Sequence, residues 1–556
     1  MRRSPLILVA LVLSACGSIP NSGPIVQGQR VDVVRNDGYV RVIARPPVPG
    51  MTPDALVRGF LEASASVADG DETARLYLTS QASDAWNPQK LTVVYDAAAL
   101  TITADRGDAV KISAPKIGSI DARHRYQAAD AGATVADVLQ LKQVDGEWRI
   151  DSAPQALYLG EGDVVRSFRA HPVFFFNSRF ERLVPEFVML PVGAGSLATQ
   201  LMRALLGGPS PIYGSALVTA IPPGTTMTYR MVTVDGVTAN VALDRSVLSA
   251  PLTQRDELVA QIVWTLSSLS DVVVVRVTVE GQPLEVPSGR LSHSAGDYAK
   301  YDPEDAPAVS PLVYVRGGRV ISLTEGKRTV ESSGDPMSSA AISRDRALRA
   351  VILKDRKLLY ISQNGSVDKP IAAGRDLARP QFMPDGQLWF LDREKQGGLR
   401  TWDKAAGTLD VPTGLPAAAR ILDYALAPDH TRIAIVVNDG VTTTLRVGLI
   451  QRTDNGSRIV GLSRVEGRLT AISAVTWEAM GDLVVLGSAG AVAPQPIRVS
   501  LPAGAITLLG GPANAVSLTA GVGLPIVVGD QAGQLWEYRD NRWQASVLGN
   551  APNYVI

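Results

Sequence analysis

The sequence is poor in the residues that build disulfides and metal sites. Its 556 residues include one cysteine and four histidines, and 54 basic residues balance 54 acidic ones. One cysteine cannot form an internal disulfide, and no apolar run reaches the roughly 18 residues typical of a membrane-spanning helix. The histidines are spread too widely for the usual spacing of zinc ligands, so we expect no metal site. They are His124, His171, His293 and His430.

Motifs of common enzyme and nucleotide-binding families are also missing. The sequence contains no Gly-x-Ser-x-Gly, no His-Glu-x-x-His and no Gly-x-x-x-x-Gly-Lys-Ser/Thr. We therefore expect no catalytic residues and no cofactor. Because the chain lacks a clustered basic excess, nucleic acid is not an expected partner. With 46% hydrophobic and 19% charged residues, the composition is that of a folded protein with several domains.

The cysteine lies at the end of a signal-peptide pattern, in which two arginines precede an apolar run over residues 5–15. Leu13-Ser14-Ala15-Cys16 resembles the lipobox of bacterial lipoproteins. That resemblance implies cleavage between Ala15 and Cys16, a diacylglyceryl group on the Cys16 sulfur and an acyl chain on its amino group. Residues 1–15 are thus a predicted signal peptide, and residues 16–50 a lipidated tether rich in Gly, Ser and Pro. The alternative is a secreted protein with a chance cysteine.

Residues 51–160 are predicted to form an α+β domain. Thr52 is a good N-cap and Pro53 suits the first helical position, and apolar residues then recur at helical spacing. Asp145-Gly146 marks a hairpin turn between two alternating strands. Helices followed by a curved sheet that ends in GEWRI resemble a small NTF2-like domain, which we expect to be a scaffold rather than a catalytic pocket.

Residues 161–290 carry the most specific pattern in the chain. One predicted helix aligns Leu197, Leu201 and Leu205 and stops at Gly207-Gly208. A second helix, in RDELVAQIVWTLSSLS, leads into the strand DVVVVRVTVEG. That strand is expected to bury one face and to turn the other toward solvent or another domain. The predicted buried face carries Val273, Val275, Val277 and Val279, and the opposite face carries Arg276, Thr278 and Glu280.

Five motifs in this segment occur in a recognisable order. LLGGP, IPPGT, DGVTANVALD, QIVWTLSSL and VEG together resemble the GerM-type domain of spore-germination and sporulation lipoproteins. The resemblance implies an α+β domain used at cell envelopes for assembly or binding, without catalysis. The residues agree with that expectation, because the motif positions are Gly, Pro and apolar types that build turns and cores.

Residues 291–311 are polar without a regular period and are predicted to be a linker. Residues 312–556 are predicted to form a β-propeller of five to seven blades. Short strands alternate with turn aspartates 40, 44 and 53 residues apart, a spacing typical of four-stranded blades. The early strand PLVYVRGGRVISL is expected to close the ring. The turn residues are Asp345, Asp385, Asp429 and Asp482. Five tryptophans are predicted to pack between blades rather than to line a sugar-binding face: Trp389, Trp402, Trp477, Trp536 and Trp543.

The order of these segments resembles the LpqB family of actinobacterial lipoproteins over essentially the whole chain. The resemblance implies an accessory lipoprotein held by its lipid at the outer face of the cytoplasmic membrane. It also implies association with the extracytoplasmic domain of the MtrB sensor kinase, in the MtrAB two-component system that affects envelope growth and division. The motifs are architectural, so they imply no contact residues for MtrB. The alternative is an envelope sensor that binds a glycan or lipid fragment.

Overall fold

Three folded regions follow one another along the chain. The computed structural model describes residues 44–555 apart from short gaps at 67–70, 106–107, 194, 305, 308, 333–334, 364–365, 491 and 503, and it leaves the side chains of 366–369 undescribed. The predicted signal peptide, the cleavage site between Ala15 and Cys16, and residues 16–43 of the predicted tether lie outside the described residues. The predicted fold class is confirmed, since two α+β domains precede an all-β propeller.

The first domain packs helices against a mostly antiparallel sheet. Its elements are α1 (Pro53–Ser64), α2 (Glu72–Arg75), α3 (Ser80–Ala85), β1 (Leu91–Tyr95), β2 (Thr101–Asp105), β3 (Ala109–Asp121), β4 (Tyr126–Ala128), β5 (Thr134–Val144), β6 (Glu147–Ser152) and β7 (Leu157–Gly160). The sheet order is β6-β5-β3-β1-β7, and β2 and β4 also pair with β3. Helix α1 follows the extended N-cap Thr52 and buries Leu56 and Phe60. Asp145 and Gly146, both at positive φ, form the predicted turn between β5 and β6.

The second domain contains two small sheets covered by two longer helices. Its elements are α4 (Glu161–Ser167), β8 (Phe168–Asn177), β9 (Leu183–Pro191), α5 (Leu197–Leu206), β10 (Leu217–Val218), β11 (Thr233–Asp235), β12 (Thr238–Leu243), α6 (Arg255–Leu266), β13 (Val274–Val279) and β14 (Gln282–Pro283). The strand orders are β10-β8-β9 and β11-β12-β13-β14. Helix α6 connects the parallel strands β12 and β13. The shared core includes Phe175, Leu201, Ile262 and Val277.

The predicted faces of the last long strand of this domain are right within β13 and at the exposed Glu280, and wrong at Val273. The strand buries alternate valines and exposes Arg276. Val273 is 56% exposed rather than buried, because it precedes the strand and its backbone N–H donates to the Val237 carbonyl in a loop. Glu280 follows the strand at a φ of 52°, in a turn where its carboxylate pairs with Arg245.

Part of the predicted linker is folded onto the second domain. Ala295–Tyr301 forms a 3-10 segment with a kink at Tyr298, and it buries the side chains of Tyr298 and Tyr301. The Tyr301 hydroxyl donates to Glu257 of α6, and the Tyr298 hydroxyl lies 2.9 Å from Nδ1 of the buried His293. The prediction of exposed chain is therefore wrong here, because a short 3-10 segment produces no helical period in the sequence.

Six four-stranded blades form the propeller. In chain order the strands are β15 (Leu312–Arg316), β16 (Arg319–Thr324), β17 (Lys327–Ser332), β18 (Met337–Ile342), β19 (Leu348–Leu353), β20 (Leu358–Gln363), β21 (Ser366–Ala373), β22 (Leu377–Phe382), β23 (Leu388–Asp392), β24 (Leu399–Asp403), β25 (Gly407–Asp410), β26 (Arg420–Leu426), β27 (Arg432–Asn438), β28 (Thr443–Thr453), β29 (Gly456–Arg464), β30 (Leu469–Ala479), β31 (Asp482–Ala489), β32 (Gln495–Ser500), β33 (Ala505–Leu508), β34 (Ala515–Thr519), β35 (Ile526–Asp530), β36 (Gln534–Arg539), β37 (Arg542–Leu548) and β38 (Asn550–Tyr554). The first blade has the order β17-β16-β15-β38, and blades two to six take four consecutive strands each. The innermost strands β18, β22, β26, β30, β34 and β38 surround a central channel.

Ring closure and three of the four predicted turn aspartates match the prediction. Strand β38 pairs with β15, so the last strand completes the first blade. Asp345, Asp385 and Asp429 occupy the turns after three innermost strands, and each carboxylate accepts the backbone N–H two residues on. The prediction is wrong for Asp482, which begins β31. In blades two to four, the repeat therefore reflects an aspartate-capped turn before the second strand.

Candidate binding surface of the propeller

The second domain packs against the fourth blade. Its 3-10 helix Pro211–Ala216 lies beside β28 and β29. The Tyr213 ring covers Gly461, and the Gln451 side-chain amide donates to the Ser215 hydroxyl. The contact is apolar at its centre, because residues of β28 share the core of the second domain.

The second domain also covers a turn that follows an innermost strand. Between β30 and β31, the Met480 carbonyl accepts from the Arg432 guanidinium at 2.7 Å, and the Met480 N–H donates to Glu304 at 2.8 Å. Phe187 of β9 lies against the adjacent Gly481. The channel end at which the innermost strands finish therefore lies on the side of the second domain.

Ion pairs connect the second domain to the other two. Arg125 lies 2.6 Å from Glu186 of β9, and the Ser210 N–H donates to the same carboxylate at 3.0 Å. Burial raises the pKa of Glu186, and the neighbouring Arg125 opposes that shift. In the propeller, Arg468 lies 2.7 Å from Glu161 of α4. The three domains are thus held together by pairwise contacts.

We expect Gly461→Val to loosen the contact between the second domain and the propeller. Gly461 has a φ of +61°, and a Cβ there would lie 2.5 Å from the Tyr213 ring. Overpacking of this kind costs about 1–3 kcal/mol beyond the backbone strain. Thermal unfolding and limited proteolysis at residues 303–311 measure the effect. Gly440→Val is the matched control, because Gly440 has a φ of +95° in the same blade with nothing within 4 Å; equal losses in the two variants would contradict the packing argument.

The opposite end of the channel, where the innermost strands begin, has irregular backbone. Every innermost strand or its partner shifts register near this end, as bulged strands do. The shifts lie at Met337/Ser339, Ala378/Gln381, Ile421/Asp423, Thr470/Ala474, Ala515/Ser517 and Val313/Val315. We call this end the open face; of the domain contacts described above, that of Arg468, in the loop just before β30, is the one on its side.

Arg379 spans the channel just inside the open face. Its backbone has a φ of 58°, and its guanidinium donates to the Leu518 carbonyl at 2.8 Å and to the Val475 carbonyl at 2.5 Å. The Asp423 carboxylate lies 3.2 Å from Arg379 Nε, and the Tyr424 hydroxyl donates to the Arg379 carbonyl at 2.7 Å. One side chain thus ties the third blade to the fourth, fifth and sixth.

A cavity of about 150 Å³ opens in front of Arg379, and we call it the cup. Its wall is polar, and the side chains that supply hydroxyl and amide groups are Ser338, Ser339, Ser473, Ser517 and Asn553. Arg356 and Arg393 also line the cup, and Val516 adds an apolar edge that is 50% exposed. The cup is therefore a small polar depression with three guanidinium groups around it.

A second and wider depression, which we call the groove, is bounded by the third-blade turn after β23 and by the loop before β26. Its volume is about 460 Å³, and it is lined by Lys395–Gly397, Asp410–Pro416 and Ala419. Lys395 and Asp410 pair across it at 2.6 Å. Arg393 lines the cup and lies two residues before Lys395 of the groove, so the two depressions are neighbours on the open face.

The four histidines and the five propeller tryptophans do not come together in a metal-binding or sugar-binding site. Each histidine lies in a different element or loop, and the part of the chain that the structure describes contains no group of three metal-ligating side chains. Trp389 and Trp477 are buried, and the other three propeller tryptophans are half-buried. The indole N–H of Trp477 donates to the Ala425 carbonyl and that of Trp543 to the Leu509 carbonyl. These tryptophans pack within and between blades, as predicted.

Sequence reasoning missed the three arginines of the cup. Arg356 and Arg393 occupy equivalent turns after the second strands of neighbouring blades, and each follows an aspartate in the sequence. The Asp-Arg pair recurs at the same position in two neighbouring blades, so an alignment of the blade repeats would identify it. Arg379 carries no such signal, since only the folded ring places it across the channel.

We expect stability to fall as pH is lowered from about 7.5 to about 5.5. Burial lowers the pKa of His124, His171 and His293 below 6.5. Because the unfolded chain then binds protons more readily, stability present above pH 6.5 is lost as pH falls through that value. The measurement is the unfolding temperature against pH, and His171→Gln should flatten the slope. A rising unfolding temperature at lower pH would contradict this reading.

Models of known protein families match most of the chain. A model described as the N-terminal domain of Lipoprotein LpqB matches residues 46–165, one described as Sporulation and spore germination matches residues 172–285, and one described as the Lipoprotein LpqB beta-propeller domain matches residues 313–554. Among the described residues, no helix is both long and apolar enough to cross a membrane.

Individual relatives align along nearly the full length. The Lipoprotein LpqB of Cutibacterium acnes is 29% identical and covers 99% of this chain and 98% of its own. That of Thermobifida fusca is 26% identical, with 98% and 97% covered. Among solved structures, the first GerMN domain of the sporulation protein GerM from Bacillus subtilis is 22% identical, covers 23% of this chain and 95% of its own, and has a TM-score of 0.20.

Proposed function

The chain belongs to the LpqB family of lipoproteins, and from that premise we propose that it is a membrane-anchored accessory protein that binds a protein partner through the open face of its propeller. In this proposal the lipid on Cys16 holds it at the outer face of the cytoplasmic membrane. No step of the proposal requires catalysis.

The architecture around the open face is the observation that carries the proposal. The second domain packs beside the other end of the channel, which leaves a broad ring of turns at the end with the cup. The second strand of each blade runs back to this end, so the turns after β27 and β31 lie there and present Val441, 91% exposed, and Val492, 41% exposed. A specific protein interface buries roughly 1,200–2,000 Å², which a ring of turns supplies and a 150 Å³ cavity does not.

The partner that we propose is the extracytoplasmic part of the MtrB sensor kinase. This choice rests on the family resemblance, and the geometry adds only that the turns around the cup lie at the channel end away from Met480 and Phe187. Binding there would modulate the MtrAB system and so affect envelope growth and division.

A pull-down from solubilised membranes tests the proposal. The bait is the chain from residue 17 onward, and mass spectrometry identifies what is retained. We expect the sensor kinase to be enriched over a bait that ends before the propeller at residue 302, which keeps Tyr298 and Tyr301 in the core of the second domain. Absence of the kinase from the retained material, or equal retention by both baits, would contradict the proposal.

The groove supports a second candidate, an envelope sensor that binds a glycan or lipid fragment. Its volume of about 460 Å³ falls within the roughly 300–1,000 Å³ of small-molecule sites. Calorimetric titration with soluble peptidoglycan fragments tests this function, and Thr413→Arg, which narrows the groove, serves as the negative control. Binding that depends on the groove in the absence of any protein partner would favour the sensor.

A further inference from the structure

We infer that the cup receives one carboxylate side chain of the protein partner, so that it is the specificity pocket of the open face. This inference rests on the proposed function, which supplies the protein partner. It adds the chemistry that the partner must present: an aspartate or glutamate on a protruding segment.

The side chains that line the cup carry more positive than negative charge. The lining includes three guanidiniums, those of Arg356, Arg379 and Arg393, and one carboxylate, that of Asp423. Asp423 is 3% exposed and is held by Arg379 and by the Val475 N–H. Outside the lining, Asp376 is shared by Arg356 at 3.0 Å and by Arg393 at 3.9 Å. A carboxylate from the partner would bring a second negative charge into the lining.

The two rim arginines are placed to provide that interaction. Arg356 and Arg393 line the cup, and their side chains are 47% and 30% exposed, so the contact with Asp376 does not enclose either of them. Arg393 is oriented by its Nε, which donates to the Leu422 carbonyl at 2.7 Å. A guanidinium that is already held in place loses little entropy on binding and pairs with a carboxylate through two hydrogen bonds.

The volume of the cup favours a single side chain over a small-molecule ligand. About 150 Å³ is below the roughly 300–1,000 Å³ of sites for drug-sized molecules. It suits a single anchoring side chain of the kind that dominates protein interfaces. The apolar edge at Val516 offers contact to the methylene groups of that side chain.

The turn that carries Arg356 adds basic side chains beside the cup. The turn 354–357 has the sequence Lys-Asp-Arg-Lys, and Arg375 lies exposed next to Asp376. Residues 392–395 are Asp-Arg-Glu-Lys, so the basic excess lies on the side of Arg356. A basic excess beside a pocket raises the rate at which an acidic partner meets it.

The first experiment measures affinity for the MtrB ectodomain. Arg356→Gln combined with Arg393→Gln should weaken binding at least about tenfold, since two charge-assisted hydrogen-bond donors are lost. Ser473→Phe should weaken it as well by filling the cup from an exposed position without removing charge. Arg328→Gln, an exposed arginine on the outer strand β17, is the control and should leave affinity within about twofold. Unchanged affinity in both cup variants would overturn the inference and leave the proposed function standing.

The second experiment needs no protein partner. N-acetyl-aspartate methylamide and N-acetyl-asparagine methylamide are compared as probes at equal ionic strength. The aspartate probe should raise the unfolding temperature of the wild type, because ligand binding stabilises the folded state, and the double arginine variant should not respond. Equal responses in the two proteins would overturn the inference. If the ectodomain fails to bind the wild type, the proposed function fails, and this measurement still tests whether the cup binds a carboxylate.

Discussion

Removal of residues 550–556 is expected to prevent the propeller from folding. Strand β38 is the innermost strand of the first blade, where it pairs Tyr554 with Leu312 and Asn553 with Val313. Without it, the ring has an open edge and the core cluster around the buried Tyr314 loses Tyr554. The loss of a central strand exceeds the few kcal/mol margin that most folded domains have.

Circular dichroism and thermal unfolding measure this effect. The truncated protein should lack the cooperative transition of the propeller and become sensitive to protease across residues 312–549. Removal of residues 17–40, within the predicted tether, is the control and should leave the transition unchanged. A truncated protein that unfolds cooperatively at the wild-type temperature would show that β38 is dispensable.

Cys16→Ser is expected to abolish membrane attachment. The prediction follows from the lipobox pattern at Leu13-Ser14-Ala15-Cys16, in which only a thiol accepts the diacylglyceryl group. Without acyl chains the protein loses the hydrophobic anchor, since stable residence takes two or more chains. Labelled fatty acid should no longer be incorporated, the signal peptide should remain on the precursor, and Ser18→Ala should behave as wild type. Equal labelling of Cys16→Ser and wild type would rule out Cys16 as the lipid site.

Local patterns predicted the elements that depend on neighbouring residues. The apolar period of Leu197, Leu201 and Leu205 predicted α5, and the Asp-x turns predicted the start of the second strands because a carboxylate caps backbone two residues away. The early strand beside the linker predicted ring closure because a propeller must pair its first and last strands. These inferences need no knowledge of the tertiary fold.

Features that depend on residues far apart along the chain could not be predicted from sequence patterns. The contact between Tyr213 and Gly461 joins segments about 250 residues apart, and neither residue has a distinctive local pattern. The cup assembles residues from all six blades, and Arg379 gains its role from a positive φ and from carbonyls of three other blades. A sequence pattern does not encode which blades face one another across a channel.

Calorimetric titration of the purified MtrB ectodomain into the chain from residue 17 onward tests binding through the open face. We expect saturable binding that the Arg356→Gln, Arg393→Gln double variant weakens at least about tenfold, while His171→Gln and Arg328→Gln leave affinity unchanged. Absence of binding by the wild type, at concentrations where both proteins are folded and monodisperse, would contradict it.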